Sequence, residues 1–412
     1  MIGRIRIDDP APPTAGYRYA ALAALAEAFG LTEQAGLKAT LPAADNPNDD
    51  VHDRQHVTAE GRLTANGLIW LERAGVTVEL SPDARSTSLT LGAGETLRAR
   101  AMWHGDTAFS LVFEPEAGAR ADFLLDDYGR PELHKDQQVS DLLGPVRPRE
   151  PVTAAHDLKI AVLADPHYVR RVYPAVLAAL GDAADSLTCR LSIDLIPTPR
   201  DPSEFGETER WTSYDGVVLP GGADMERAEA LIAAAGACRS ADLPTLGLCL
   251  GMQAMCIAAA RRRPELRHAA LAEIEPDAAL PLFTLLPDAD GKPRRRLGDR
   301  RITIEHGSRL ARQLQRLGAE TSWRERMNHS YRLDPKLFRF FAETGLSVLS
   351  MESPGEVVDM VEDPSRRFYV GAEGHPELSS RREVPHPLIK AFLHAIVRCR
   401  AQKTDSTRKN PG

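Results

Sequence analysis

What most constrains this chain is an alternation between residues 158 and 262. The short apolar runs LKIAVLAD (158–165), RLSIDLIP (190–197), YDGVVLPGGA (214–223) and LPTLGLCLG (243–251) are separated by alanine-rich helical stretches. Those stretches are VRRVYPAVLAALGDAA (169–184), AEALIAAAGACRS (228–240) and MQAMCIAAARR (252–262). Strands buried on both faces read as continuous apolar runs. Strands that alternate with helices are joined by crossovers, so they lie parallel. The expected fold class is therefore α/β: a doubly wound, mostly parallel sheet. In such sheets ligands sit at the carboxyl ends of the strands, where the PGG turn and Cys249 both fall.

The region before residue 144 has a different rhythm. Helical character is expected over 16–30 and 66–75, followed by period-two runs at VTVEL, STSLTL, LRARAMW, TAFSLVF and ADFLLDD. This predicts a smaller α+β domain with an antiparallel sheet over residues 1–143. The run GPVRPREPVTAAHD holds three prolines within seven residues, which marks 144–156 as a linker. Residues 157–400 then form the α/β domain, and 401–412 read as a disordered polar tail.

Composition narrows the function classes. The 412 residues carry a net charge of −7 without a strongly basic block, which argues against nucleic acid as a partner. The arginine triplets at 261–263 and 294–296 read as solvated faces, with an anionic-ligand site as the alternative. Five scattered cysteines without a CxxC pattern suit a reducing compartment, and a cytoplasmic location is expected. The opening run MIGRIRIDDPAPP has no apolar signal core, and no stretch reaches the ~18 apolar residues of a membrane span.

Cys249 lies between Gly247 and Gly251 where a strand hands over to a helix. This pattern reads as a nucleophile elbow, and a helix N-terminus behind the thiol is expected to lower its pKa. The alternative is an inert apolar cysteine. In VGAEGHPELSS, His375 can act as base with Glu377 as the carboxylate that orients it. The N–H groups of Leu250 and of Gly221 or Gly222 are candidates for an oxyanion hole. In NDDVHDRQH, Asp49, Asp50, His52, Asp53 and His56 could be read as metal ligands, but a polar loop is the preferred reading. No metal and no cofactor are expected.

LPGG, GLCLGMQ and GHPE, in this order and followed by HPL, resemble the class I (triad) glutamine amidotransferase domain. The likeness is nearest to the glutaminase domain of CTP synthase. It extends through EIEPD (273–277), RRLG (295–298), ERMNHSYRLD (325–334) and HPELSSRREVPHPL (375–388), and so covers about residues 157–400. The resemblance implies that Cys249 forms a γ-glutamyl thioester, with His375 as base and Glu377 as its partner. It also implies that Gln253 contacts bound glutamine, that Glu273 faces its α-amino group and that Gly222 binds through its backbone.

There are departures. Where the family places an arginine on the α-carboxylate, this chain has Asn328, so Arg326 or Arg332 would have to take over. After PGG an aromatic residue is replaced by Ala223, and AEG precedes the histidine instead of a glutamine–aromatic pair. Weak hydrolysis of free glutamine is expected on this basis. No GxxxxGK[ST] occurs, and the front region is too short for a synthetase domain, so a complete CTP synthase is not expected. The N-terminal domain resembles no family that these residues identify.

The leading expectation is an amidotransferase-type enzyme of specialised metabolism that releases or transfers ammonia. The alternatives are an amidase, γ-glutamyl hydrolase or acyl transferase with another substrate, or a weakly catalytic binding or regulatory module. Candidate partners are a small-molecule amide, an ammonia-accepting synthetase and a second copy of the chain.

Overall fold

The computed structural model describes residues 2–7, 15–33, 37–42, 56–84, 86–104, 107–114, 118–147, 149, 152–171, 173–222, 227–288, 290–352 and 357–409. The chain divides into two compact units. One comprises residues 1–56, 63–152 and 170–178, the other 57–62, 153–169 and 179–412.

The first unit is built on an eight-stranded sheet. Its strands are β1 (Ile2–Ile7), β2 (Lys38–Pro42), β3 (Thr77–Ser81), β4 (Thr87–Thr90), β5 (Glu95–Trp103), β6 (Ala108–Glu114), β7 (Arg120–Leu125) and β8 (Pro131–Gln137). They lie in the order β8-β7-β6-β5-β1-β4-β2-β3. The expected antiparallel sheet is in fact mixed, because β1 runs parallel to β5 and β2 parallel to β3. Both β1 and β2 were missed in the sequence, since IGRIRI and KATLP are short and each carries charge among its apolar residues. Helices α1 (Ala15–Ala28) and α2 (Leu68–Arg73) fall where helical character was expected.

The second unit carries the alternation. Strands β9 (His156–Val162), β10 (Cys189–Leu195), β11 (Gly216–Leu219) and β12 (Thr245–Leu248) are joined by parallel pairing to β17 (Tyr369–Ala372). Strands β15 (Ser347–Met351) and β16 (Val358–Glu362) add an antiparallel edge, giving the order β10-β9-β11-β12-β17-β16-β15. A separate hairpin pairs β13 (Arg296–Thr303) with β14 (Ser322–His329).

The helix expected over 169–184 is two helices, α3 (Pro166–Arg171) and α4 (Pro174–Ser186). Pro174 cannot donate to the preceding turn, so it begins a helix instead of continuing one. Helix α5 (Ala228–Ser240) matches its apolar stretch, and α6 (Leu250–Ala260) is wholly buried. The last helix, α7 (Pro387–Lys409), runs on through residues expected to form an irregular tail. Leu219, Leu250, Met252, Met255 and Tyr369 form part of the core beneath the strand ends. Among the described residues no helix is long and apolar enough to cross a membrane.

Candidate active site

β12 delivers Cys249 to the N-terminus of α6 with φ +49° and ψ −111°. Positive φ is costly for a residue with a Cβ, so the surrounding structure must impose it. It does so from both sides. The Cys249 N–H donates to the Ala372 carbonyl of β17 at 2.7 Å, and its carbonyl accepts from the Gln253 N–H at 3.1 Å. The helix also presses close to the sheet, for a Cβ on Gly251 would lie 1.9 Å from the Leu219 carbonyl oxygen. Glycine is the residue that this approach admits.

His375 follows β17. Its N–H donates to the Arg326 carbonyl of β14 at 2.8 Å, and its Nδ1 meets Glu377 Oε1 at 2.8 Å. The imidazole lies close enough to the Cys249 thiol for the two to interact electrostatically. Gly221 closes this corner, since a Cβ there would lie 3.1 Å from His375 Cε1 and 3.3 Å from Cys249 Cβ. Gly222 borders open space. Ala223 lies outside the described residues.

Electrostatics qualify one expectation. Burial pushes the Cys249 thiol up; His375 and the Leu250 N–H oppose this without overcoming it, and the Glu373 carboxyl adds to it. The expected lowering is thus reversed in the free protein, because lost hydration outweighs the helix N-terminus. Burial also pulls the His375 imidazole down. Glu377 and the thiol outweigh that and hold it well above the ordinary histidine range.

The predicted substrate residues are not all brought to this corner. Gln253 is buried, and its amide donates to Glu373 Oε1 at 2.6 Å. The Arg326 guanidinium is turned to Asp299 at 2.7 Å and to the Val57 carbonyl. Residues 57–62 and this hairpin belong to one unit. Arg332 sits opposite Thr284 in a small sheet. Asn328 accepts a hydrogen bond from Arg295 Nε at 2.9 Å. Glu273 keeps much of its side chain in solvent, yet partial desolvation raises its carboxyl and the Arg295 charge opposes this.

Of the acidic cluster, His56 is described and pairs with Glu72 at 3.0 Å; Asp49, Asp50, His52 and Asp53 lie outside the described residues. The triplet 261–263 is engaged by Glu229, Ser240 and Glu343. Sequence reasoning missed Glu373 as a neighbour of the thiol. It is buried, with its carboxyl raised well above the usual range by burial, and it also lies 3.4 Å from His329. The AEG departure before the histidine was the one signal that pointed to it.

The family described as Glutamine amidotransferase class-I matches residues 175–395, more than half of the chain. The chain belongs to this family. Among curated relatives, CTP synthase from Cyanothece sp. is 33% identical over 270 residues, covering 64% of this chain and 47% of the relative. CTP synthase from Saccharopolyspora erythraea is 31% identical over 291 residues, covering 68% and 50%. The chain thus spans about half the length of the curated relatives it matches. A solved structure of the glutaminase domain of Trypanosoma brucei CTPS with bound acivicin aligns with TM-score 0.54 and 23% identity, covering 58% of this chain and 94% of that one. That likeness supports the fold of this class-I glutamine amidotransferase unit. The region before residue 175 is not assigned by the family match.

Proposed function

We propose that this class-I glutamine amidotransferase unit hydrolyses the carboxamide of glutamine through a thioester on Cys249. The observation that carries this reading is that Cys249, held at positive φ, lies beside His375, whose Nδ1 meets Glu377 Oε1 at 2.8 Å. His375 takes the thiol proton as sulfur attacks the amide carbon. The oxyanion forms beside the N–H groups of Leu250 and Gly221 or Gly222. His375 returns the proton to nitrogen, the C–N bond breaks and ammonia leaves. Water, deprotonated by His375, then cleaves the C–S bond, giving glutamate and the free thiol. Glu377 keeps the imidazole oriented and favours its charged form throughout. The ammonia is released or passed to an acceptor enzyme, so that the chain serves a biosynthetic step without itself being a complete CTP synthase.

Steady ammonia release from glutamine by the wild type, absent in Cys249→Ser, is the expected result. Covalent labelling of Cys249 by an electrophilic glutamine analogue is the second readout. A second reading, an amidase or acyl transferase for another amide, is favoured by one observation: Gln253 is turned into Glu373. Turnover of other amides with none of glutamine would select it.

A further inference from the structure

The turn that carries Cys249 is closed by a side-chain pair whose polar atoms do not balance. Three hydrogen bonds encircle the strained residue. The Cys249 N–H donates to the Ala372 carbonyl at 2.7 Å, the Cys249 carbonyl accepts from the Gln253 N–H at 3.1 Å, and Gln253 Nε2 donates to Glu373 Oε1 at 2.6 Å. Ala372 and Glu373 are adjacent, so the third bond closes the circle from strand to helix. Two atoms of that last pair are left over. Gln253 Oε1 and Glu373 Oε2 are buried without a hydrogen-bond partner among the described residues. Both are acceptors if Glu373 is ionised, and a buried acceptor without a donor is costly. A proton on Oε2 supplies the one donor that the pair lacks. An acid and an amide set edge to edge bond twice, O–H to oxygen and N–H to oxygen.

The surroundings give the charged form little support. From α6 and the turn before it, Glu373 meets Gln253, Cys249 and Cys256, none of them cationic. The hairpin brings Arg296 and His329. Arg296 donates to Asp359 at 2.6 Å and pairs with Glu352 at 2.9 Å. His329 stands 3.4 Å from Glu373, but its Nδ1 meets the Tyr331 carbonyl at 2.8 Å and its Nε2 meets Arg296 at 3.2 Å. Donating at one nitrogen and accepting at the other, that ring is a neutral imidazole, and burial holds it at about 3. β16 adds the Asp359 carboxyl, and His375 is already matched by Glu377. Burial of Glu373 therefore outweighs the pull of Arg296 and His375.

We propose that Glu373 is a positioning residue that acts as a neutral acid: it clamps Gln253, braces the turn that carries Cys249 and keeps a negative charge away from the thiolate. This rests on the Cys249 reading above and goes beyond it, because a titratable acid stands where the resemblance puts a glutamine amide. As pH rises and the proton leaves, the charge that appears beside Cys249 opposes the thiolate and the oxyanion that follows it.

Glu373→Gln keeps one donor and one acceptor for Gln253 but cannot ionise. The test follows kcat/KM for ammonia release from glutamine against pH, on the full chain. The alkaline limb should lie at least about one pH unit higher in Glu373→Gln than in the wild type. Glu373→Ala, which empties the clamp, should fall at least about tenfold below Glu373→Gln in kcat at neutral pH. Superimposed alkaline limbs overturn the assignment, as do equal rates in the alanine and glutamine variants. So does a glutamine variant that does not fold, since an amide must fit where a neutral acid does. Infrared spectroscopy reads the proton without substrate. The wild type at neutral pH should show a protonated-carboxyl band that Glu373→Gln lacks, and identical spectra overturn the neutral acid. A wild type that releases no ammonia from glutamine overturns the glutaminase reading, and the infrared comparison then still decides this one.

Discussion

Two regions of the second unit, the Cys249 corner and the contact of Arg295 with Asn328, are built in different ways. The corner around Cys249 is fixed by backbone: strand pairing from β17, a helix pressed onto the Leu219 carbonyl, and the Arg326 carbonyl on His375. The contact between exposed Arg295, just before β13, and Asn328 of β14 is made by side chains alone. Backbone-held geometry resists point substitution, whereas exposed side chains can be exchanged at little cost to stability. The corner should therefore be hard to alter by drift, and the contact of Arg295 with Asn328 easy.

The sharpest way to break this comparison is to remove the nucleophile. Cys249→Ser should lower ammonia release by at least about 10³-fold without shifting the thermal midpoint by more than a few degrees. A collapse of stability would mean that the corner depends on its side chains after all. Next in size is Glu377→Gln, for which a loss of about 10²- to 10⁴-fold in kcat is expected. This variant also tests the electrostatics. Glu377 stabilises the imidazolium, so its charge places the acidic limb of kcat/KM above the ordinary histidine range. Removing that charge should move the limb to lower pH, as a pH–rate profile would reveal; a limb that stays in place would assign the shift to another group.

A smaller effect is expected behind the corner, at Glu325. Burial raises its carboxyl to about 8, so the folded protein holds a proton that the unfolded chain has already released at neutral pH. The unfolded state then binds fewer protons, and stability falls as pH rises from about 4.5 toward 8, at up to ~1.4 kcal/mol per pH unit. Urea midpoints at pH 5 and pH 8 should converge in Glu325→Gln relative to the wild type.

The legible parts of the fold were those where local pattern and tertiary role agree. The strand, turn and helix around Cys249 could be read because buried parallel strands and an alanine-rich helix look the same in sequence as in space. The hairpin of β13 and β14 could not. Its cross-strand neighbours include Arg300 opposite Glu325 and Asp299 opposite Arg326, so polar residues interrupt the apolar alternation that marks a strand. Pro174 was read as tolerated inside a helix, but the missing donor ended one helix and began the next. At the site, residue types and the His375–Glu377 pair could be read, and the other partners could not. Nothing in spacing says that Gln253 turns to Glu373, or that Arg295 stands beside Asn328 across the hairpin.

The short segment 57–62 has a practical consequence for anyone dissecting this chain. It counts with the second unit, where Val57 and Ala59 supply carbonyls to the Arg326 guanidinium and the Asp299 N–H. That unit is thus discontinuous along the gene. A clone begun at residue 153 omits the segment and leaves a buried guanidinium short of an acceptor. Such a clone would be better expressed with residues 57–62 restored, as a fused peptide or through a circular permutation.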